Sequence, residues 1–237
     1  MFKILYRKEL TQIFNSPFGY IVTVLFALFA NFMFMKDVFV TQSASLRPFF
    51  ATASWIVLVF SSAVSMGVFA QERRTNTIET LLTLPISERT IAFAKFASTM
   101  TVIAIGLALT FAFPITMAVV SEVFVGYLTQ VFVGYLGLLM LAALFVSIGM
   151  LASLLSRSQV VAFLLSSVFT FFLFSFSSDF ASPFVPRFIS DPLLSFSPSF
   201  HFDTFVKGVI DMRSLWYFVG AVGIVQFVII SLLRRRN

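Results

Sequence analysis

The chain has 237 residues, 59% of them apolar and 11% charged, with 34 phenylalanines and no cysteine. Soluble domains run at about 45–50% apolar and 25% charged, so this excess points to lipid as the solvent. The formal charge of +6 is scattered between apolar runs and forms no basic stripe, which argues against a nucleic-acid partner. The lack of cysteine excludes disulfides, thiolate chemistry and cysteine-ligated metals.

Over residues 2–15, Phe2, Leu5, Tyr6, Leu10, Ile13 and Phe14 recur at helical spacing, and Lys3, Arg7, Lys8, Thr11, Gln12 and Asn15 fall on the other side. This predicts a basic amphipathic helix lying in the membrane interface. The competing reading is the charged leader of a signal peptide, but no small-residue cleavage site follows the next apolar run. Asn15-Ser16-Pro17 ends the helix, because proline disfavours helical geometry in the residue before it. About 20 apolar residues cross a hydrocarbon core of roughly 30 Å, and six runs are candidates: 18–35, 49–70, 91–120, 131–155, 160–176 and 215–233. Lys36-Asp37 closes the first run, and Pro114 inside the third is expected to kink it. Residues 121–130 read as a weakly polar connection and 156–159 as a tight loop. Residues 177–214, with Pro183, Pro186, Pro192 and Pro198, are too polar and too broken to cross, yet rich enough in phenylalanine to lie partly in the interface.

Six spans return both termini to one side. On the side that holds the termini, the 71–90 segment and the 156–159 loop stand eleven of the sixteen Lys and Arg residues; the other side has five. The positive-inside rule therefore predicts cytoplasmic termini. No run carries a charge near its middle, which argues against an ion-coupled carrier or a channel built on charged rings. Ser61, Ser62 and Ser65, and Gly134 and Gly137, have helix-packing spacing; internal packing, a substrate path and a dimer seam all fit.

Enzyme chemistry finds little support. One histidine, His201, builds no multi-histidine metal site, and no Gly-x-x-x-x-Gly-Lys-Ser/Thr phosphate loop is present, so any ATP must be bound by another chain. The segment 71–87, QERRTNTIETLLTLPIS, is the long polar interruption of the first half. Within it Ile78, Leu81 and Leu82 follow i, i+3, i+4 spacing and form one face of a short helix, with Thr75 or Thr77 as its cap and Glu79 near its positive end. Pro85 stops that helix, and Ser87 is placed to cap the next. The apolar face fits either a partner's groove or the lipid surface.

The run Glu72-Arg73-Arg74-Thr75-Asn76-Thr77-Ile78-Glu79-Thr80-Leu81-Leu82-Thr83-Leu84-Pro85-Ile86-Ser87 resembles the signature of ABC-2 type ABC transporter permeases, roughly E-R-R-x-G-T-x-E-x-L-L-T-x-P-x-S. Asn76 stands where that pattern has glycine, and asparagine is the next-best residue for left-handed geometry. Gly134-Tyr135-Leu136-Gly137 with Ser147-Ile148-Gly149 and Gln159 resembles the fourth span and loop of the gliding-motility-type branch. Pro198, His201-Phe202, Phe205, Gly208, Asp211 and Tyr217-Phe218 resemble that branch's segment before the last span. The resemblance covers nearly the whole chain. It implies an all-α membrane protein, one domain over 1–237, with six transmembrane helices preceded by an elbow helix at 2–15 and a coupling helix between the second and third spans. Two such subunits, identical or paralogous, would sit on two ATPase subunits in a bacterial inner membrane. ATP and Mg would be bound there, and this chain would bind no cofactor and catalyse nothing.

The same resemblance implies that residues 77–84 insert into a groove of the ATPase. Ile78, Leu81 and Leu82 would dock, with Asn76, Thr77 and Pro85 shaping the segment. Glu72, Arg73, Arg74 and Glu79 would make charged contacts with the partner. The branch also implies an accessory subunit with an extracytoplasmic domain. His201, Phe202, Phe205 and Asp211 fit a gate or a contact for that subunit. Equally, Phe202, Phe205, Val206 and Val209 make an apolar stripe seating a half-buried helix. Besides transport, the residues fit a membrane scaffold that passes ATP-driven motion to an outside partner, or, more weakly, an ATP-independent carrier.

Overall fold

Backbone amides in hydrocarbon have no water to bond, so long apolar runs close their hydrogen bonds internally as helices. The computed structural model describes residues 1–41, 46–77, 86–112, 114–115, 124–175 and 196–234, and no side chains for 37–41 and 124–127. Among the described residues the regular elements are all helices: α1 (Phe2–Asn15), α2 (Pro17–Thr41), α3 (Arg47–Ser65), α4 (Gly67–Arg74), α5 (Glu88–Thr110), α6 (Phe124–Leu155), α7 (Gln159–Ser175), α8 (Pro198–Val206) and α9 (Met212–Arg234). Five stretches are long and apolar enough to cross a membrane: Pro17–Lys36, Arg47–Arg74, Glu88–Thr110, Leu128–Leu155 and Met212–Arg234. The helix at Gln159–Ser175 is equally apolar but has 17 residues.

The ends follow local chemistry. Ser16 is extended (φ −91°, ψ 134°), as expected before Pro17, and its hydroxyl accepts from the Phe18 amide at 3.3 Å. Gly19 lets α1 and α2 meet at this corner, since a Cβ there would stand 2.4 Å from the Ile13 carbonyl oxygen. Ser87 caps α5 as expected, accepting from the Thr90 amide at 3.4 Å.

Three boundaries differ from the sequence expectation. The helix of the third run is interrupted after Thr110, where the Phe111 amide turns to the Ala108 carbonyl, and helical geometry returns at 112 and 114–115, because the ring of Pro114 would clash with the carbonyl four residues back. Residues 124–130, expected as a connection, are helical, and Gln130 spends its polarity on the Val206 carbonyl oxygen at 3.0 Å. The second run continues past the expected boundary, so that Gln71 to Arg74 form the last turn of α4.

Helix α6 is the hub. It packs against α3, α4, α5, α7, α8 and α9, and Leu138, Leu141, Ala142, Phe145, Val146, Met150 and Leu154 are fully buried. The outward faces are apolar too: Leu28, Phe29 and Phe32 on α2, Leu164, Phe169 and Phe172 on α7, and Trp216, Ile224 and Phe227 on α9 are all exposed. A water-soluble protein does not leave contiguous surfaces of this kind uncovered. Several hydroxyls inside the bundle are satisfied locally or across helices, as in the 2.9 Å bond from Ser166 to Ser62, while those of Ser61 and Ser167 are buried without a hydrogen-bond partner among the described residues.

Close approach of α3 and α6 depends on residues without side chains. A Cβ at Gly134 would stand 2.2 Å from the Phe50 ring, and one at Gly149 would stand 1.9 Å from Ser65 Oγ and 2.8 Å from Ser65 Cβ. Gly149→Ala is therefore expected to destabilise the protein by about 1–3 kcal/mol through overpacking. Gly220 is the control, since a Cβ there would meet nothing within 4 Å. Gly220→Ala should be neutral or raise stability by up to about 1 kcal/mol, the helix-propensity gain. Thermal unfolding in detergent, read by retention of the monodisperse peak, measures both.

Candidate functional site

The polar segment begins on α4, and α4 owes its position to a break in the second span. Ser65 Oγ bonds back to the Ser61 carbonyl at 2.6 Å, a contact that bends helices, and Met66 separates α3 from α4. Ser153 of α6 enters the gap. Its hydroxyl accepts from the amides of Phe69 (3.0 Å) and Ala70 (2.9 Å) and donates to the Met66 carbonyl (2.7 Å). One hydroxyl thus satisfies two early amides of α4 and pins the break to the hub.

Beyond the break stands an ion cluster. Lys95, about two turns into α5, is 1% exposed. Its ammonium donates to Glu9 Oε2 of α1 (3.0 Å), Glu72 Oε1 of α4 (2.9 Å) and the Val68 carbonyl oxygen (2.9 Å). Those three bonds exhaust its donors. The ammonium also lies 5.2 Å from the centre of the Phe69 ring. Two carboxylates face one buried cation. Glu9 Oε1 and Glu72 Oε2 are buried without a hydrogen-bond partner among the described residues, and the more exposed Lys8 stands 3.7 Å from Glu9 Oε1. The cluster borders a cavity of about 360 Å³ between α1, α2 and α4, into which Gln12, Gln71 and Gln159 also reach. A second tie between α1 and α5 is the 2.9 Å hydrogen bond between Tyr6 and Thr101.

The residues expected to meet a partner divide between inside and outside. Glu72 is buried in the cluster. Arg73 donates to the Leu154 carbonyl oxygen at 2.6 Å, at the negative C-terminal end of α6. Arg74, Asn76 and Thr77 are exposed. Asn76 has φ +56°, the left-handed geometry expected at the signature's glycine position. Thr75 and Thr77 share a 2.9 Å hydrogen bond. Ile78, Glu79, Leu81, Leu82 and Pro85 lie outside the described residues.

At the other end of the bundle, Phe202 and Phe205 are buried, with Gly137 of α6 close against Phe205. They form the seat of α8, while Val209 at the end of the expected stripe is exposed. His201 stacks on Tyr217, with ring centres 4.2 Å apart, and its Nδ1 is 3.1 Å from Ser214 Oγ. Asp211 caps α9 by accepting from the Arg213 amide at 3.0 Å. These contacts fasten α8 to α9 and leave His201 only half-buried.

Sequence reasoning missed Glu9, Lys95 and Ser153. Glu9 sits among the polar residues of an amphipathic helix, and Lys95 reads as a charge entering the bilayer. The available signal was their position: each acid or base stands one or two turns inside a segment that otherwise buries an apolar face.

A bundle with greasy flanks, a buried ion cluster near one end and a broken second span describes a multi-pass membrane protein with a fastened intracore joint. The sequence matches the family described as ABC-2 family transporter protein over residues 4–233, so the chain belongs to that family. Members are typically non-catalytic membrane subunits, and membership implies an ATPase partner. Comparison with curated proteins finds no match.

Removing the cation from a buried cluster leaves uncompensated charge, which costs about 3–5 kcal/mol. Lys95→Met is expected to lose that much stability. Lys95→Met combined with Glu9→Gln and Glu72→Gln should recover most of it, because no unpaired ion remains. Thermal unfolding of the four proteins, wild type, single, double-glutamine and triple, measures the coupling.

Proposed function

We propose that the chain is the permease subunit of an ATP-binding cassette transporter, converting ATP hydrolysis by a separate subunit into movement of a substrate across a bacterial inner membrane. In this reading α7 completes a set of six spans, α1 is the elbow helix, and the end bearing the ion cluster faces the cytoplasm. The distribution of Lys and Arg supports that orientation. ATP and Mg bind to the partner, present in two copies beneath two permease chains. The motifs at 134–137, 147–149 and 198–218 support the gliding-motility-type branch and its accessory extracytoplasmic subunit.

The single observation that carries the reading is the Lys95 cluster. The ammonium joins α1, α4 and α5 at contacts of 2.9–3.0 Å. A force applied to the segment after Asn76 therefore reaches α5 directly, and reaches α6 through Ser153 and Arg73. Ile78, Leu81 and Leu82 take the ATPase groove. Arg74 and Thr77, both exposed, stand beside it, while Glu72 and Arg73 hold the platform from within.

The test is co-purification of the ATPase with this chain from membranes. Leu81→Asp with Leu82→Asp is expected to abolish capture while the permease still migrates as a folded, monodisperse species. A complex of undiminished yield would overturn the coupling role.

A further inference from the structure

Between the N-terminal turns of α5 and the C-terminal half of α9 lies an open groove of about 680 Å³. Its walls include Phe93, Val222, Phe227 and Ile230, and Gly223 keeps one wall low, with nothing within 4 Å of the position a Cβ would take. Phe93 and Phe227 are exposed. Two guanidiniums line the same groove, Arg89 from the first turn of α5 and Arg234 from the last turn of α9. Neither has a carboxylate partner among the described residues. Glu88, next to Arg89, is not part of the lining.

We infer that this groove holds one anionic glycerophospholipid of the adjacent leaflet, its phosphate between Arg89 and Arg234 and an acyl chain along Phe93 and Phe227. Charge complementarity joined to an apolar trough selects this occupant. Guanidinium forks match phosphate oxygens in a bidentate way, and two of them leave a surplus of positive charge. A zwitterionic headgroup would return a cation to that site, whereas an anionic one does not. A second copy of the chain fits poorly. In a twofold contact centred here, each arginine pair would face its own equivalent, and like charges across an interface are costly. A lipid seated here requires no ATPase coupling.

The test uses the full chain with Phe93→Trp, reconstituted in phosphatidylcholine vesicles. Phosphatidylglycerol or phosphatidylcholine with brominated acyl chains is then added as the quencher. Protein without the substitution corrects for Trp55 and Trp216. Brominated phosphatidylglycerol should quench at a lower mole fraction than brominated phosphatidylcholine, by about fivefold for each arginine. High salt should shrink that preference. Arg89→Gln with Arg234→Gln should bring the two curves together. If that variant does not fold, the salt comparison on the arginine-bearing protein reads the same charge effect. Identical curves for the two lipids at low salt would mean ordinary contact with the surrounding bilayer and overturn the inference. Absence of quenching by either lipid would mean that a protein surface covers the groove, and would overturn it as well.

Discussion

The Lys95 ammonium is the contact on which this architecture turns. An ammonium inside an apolar bundle is tolerable only with its charge matched and all three donors used, and here each donor has a different acceptor. The acceptors come from the amphipathic N-terminal helix and from the helix beyond the break. The cluster adds to the other ties of each element, the Tyr6–Thr101 hydrogen bond of α1 and the Ser153 and Arg73 contacts of α4. A buried ion cluster is weak evidence for net stability, because desolvation offsets much of the attraction. Its stronger effect is on register, since any slip of one helix leaves a charge without its partner.

The break at Met66 works together with that cluster. Met66 keeps helical backbone angles (φ −57°, ψ −35°), so the interruption lies in the hydrogen-bond ladder just after it. Ser153 instead satisfies the amides of Phe69 and Ala70 from the side, so α4 is attached to the hub as a separate piece. Arg73 makes the second attachment, on the Leu154 carbonyl in the last turn of α6. The turn at Asn76 then leads the chain out of a segment held at three points.

The lipid-facing surfaces supply the other half of the design. Helix α6 is the most enclosed of the five long spans and α9 the least. Buried phenylalanines meet one another in the core, as where Phe26 stacks on Phe60 at 4.2 Å between ring centres. Outward ones cover α7 and α9 with a greasy coat suited to hydrocarbon. Such a coat agrees with membership of the ABC-2 transporter family, whose members are membrane proteins.

Much of this was legible in the residues. The apolar fraction names lipid as the solvent, and lipid leaves helix as the way to satisfy the backbone. Ser16-Pro17 and Ser87 mark ends through short-range sterics and capping, and Asn76 takes the left-handed turn that its place in the signature requires. These features depend on neighbours a few positions away, so the sequence by itself determined them. What only the tertiary structure decided is which polar groups meet. Lys95 lies 86 positions from Glu9 and 23 from Glu72, and Ser153 lies 84 from Phe69. A lysine near the end of an apolar run reads the same whether it snorkels to a headgroup or closes an ion cluster. Helix packing makes that choice, through small residues such as Gly149 that let the backbones draw close enough for one side chain to reach another element.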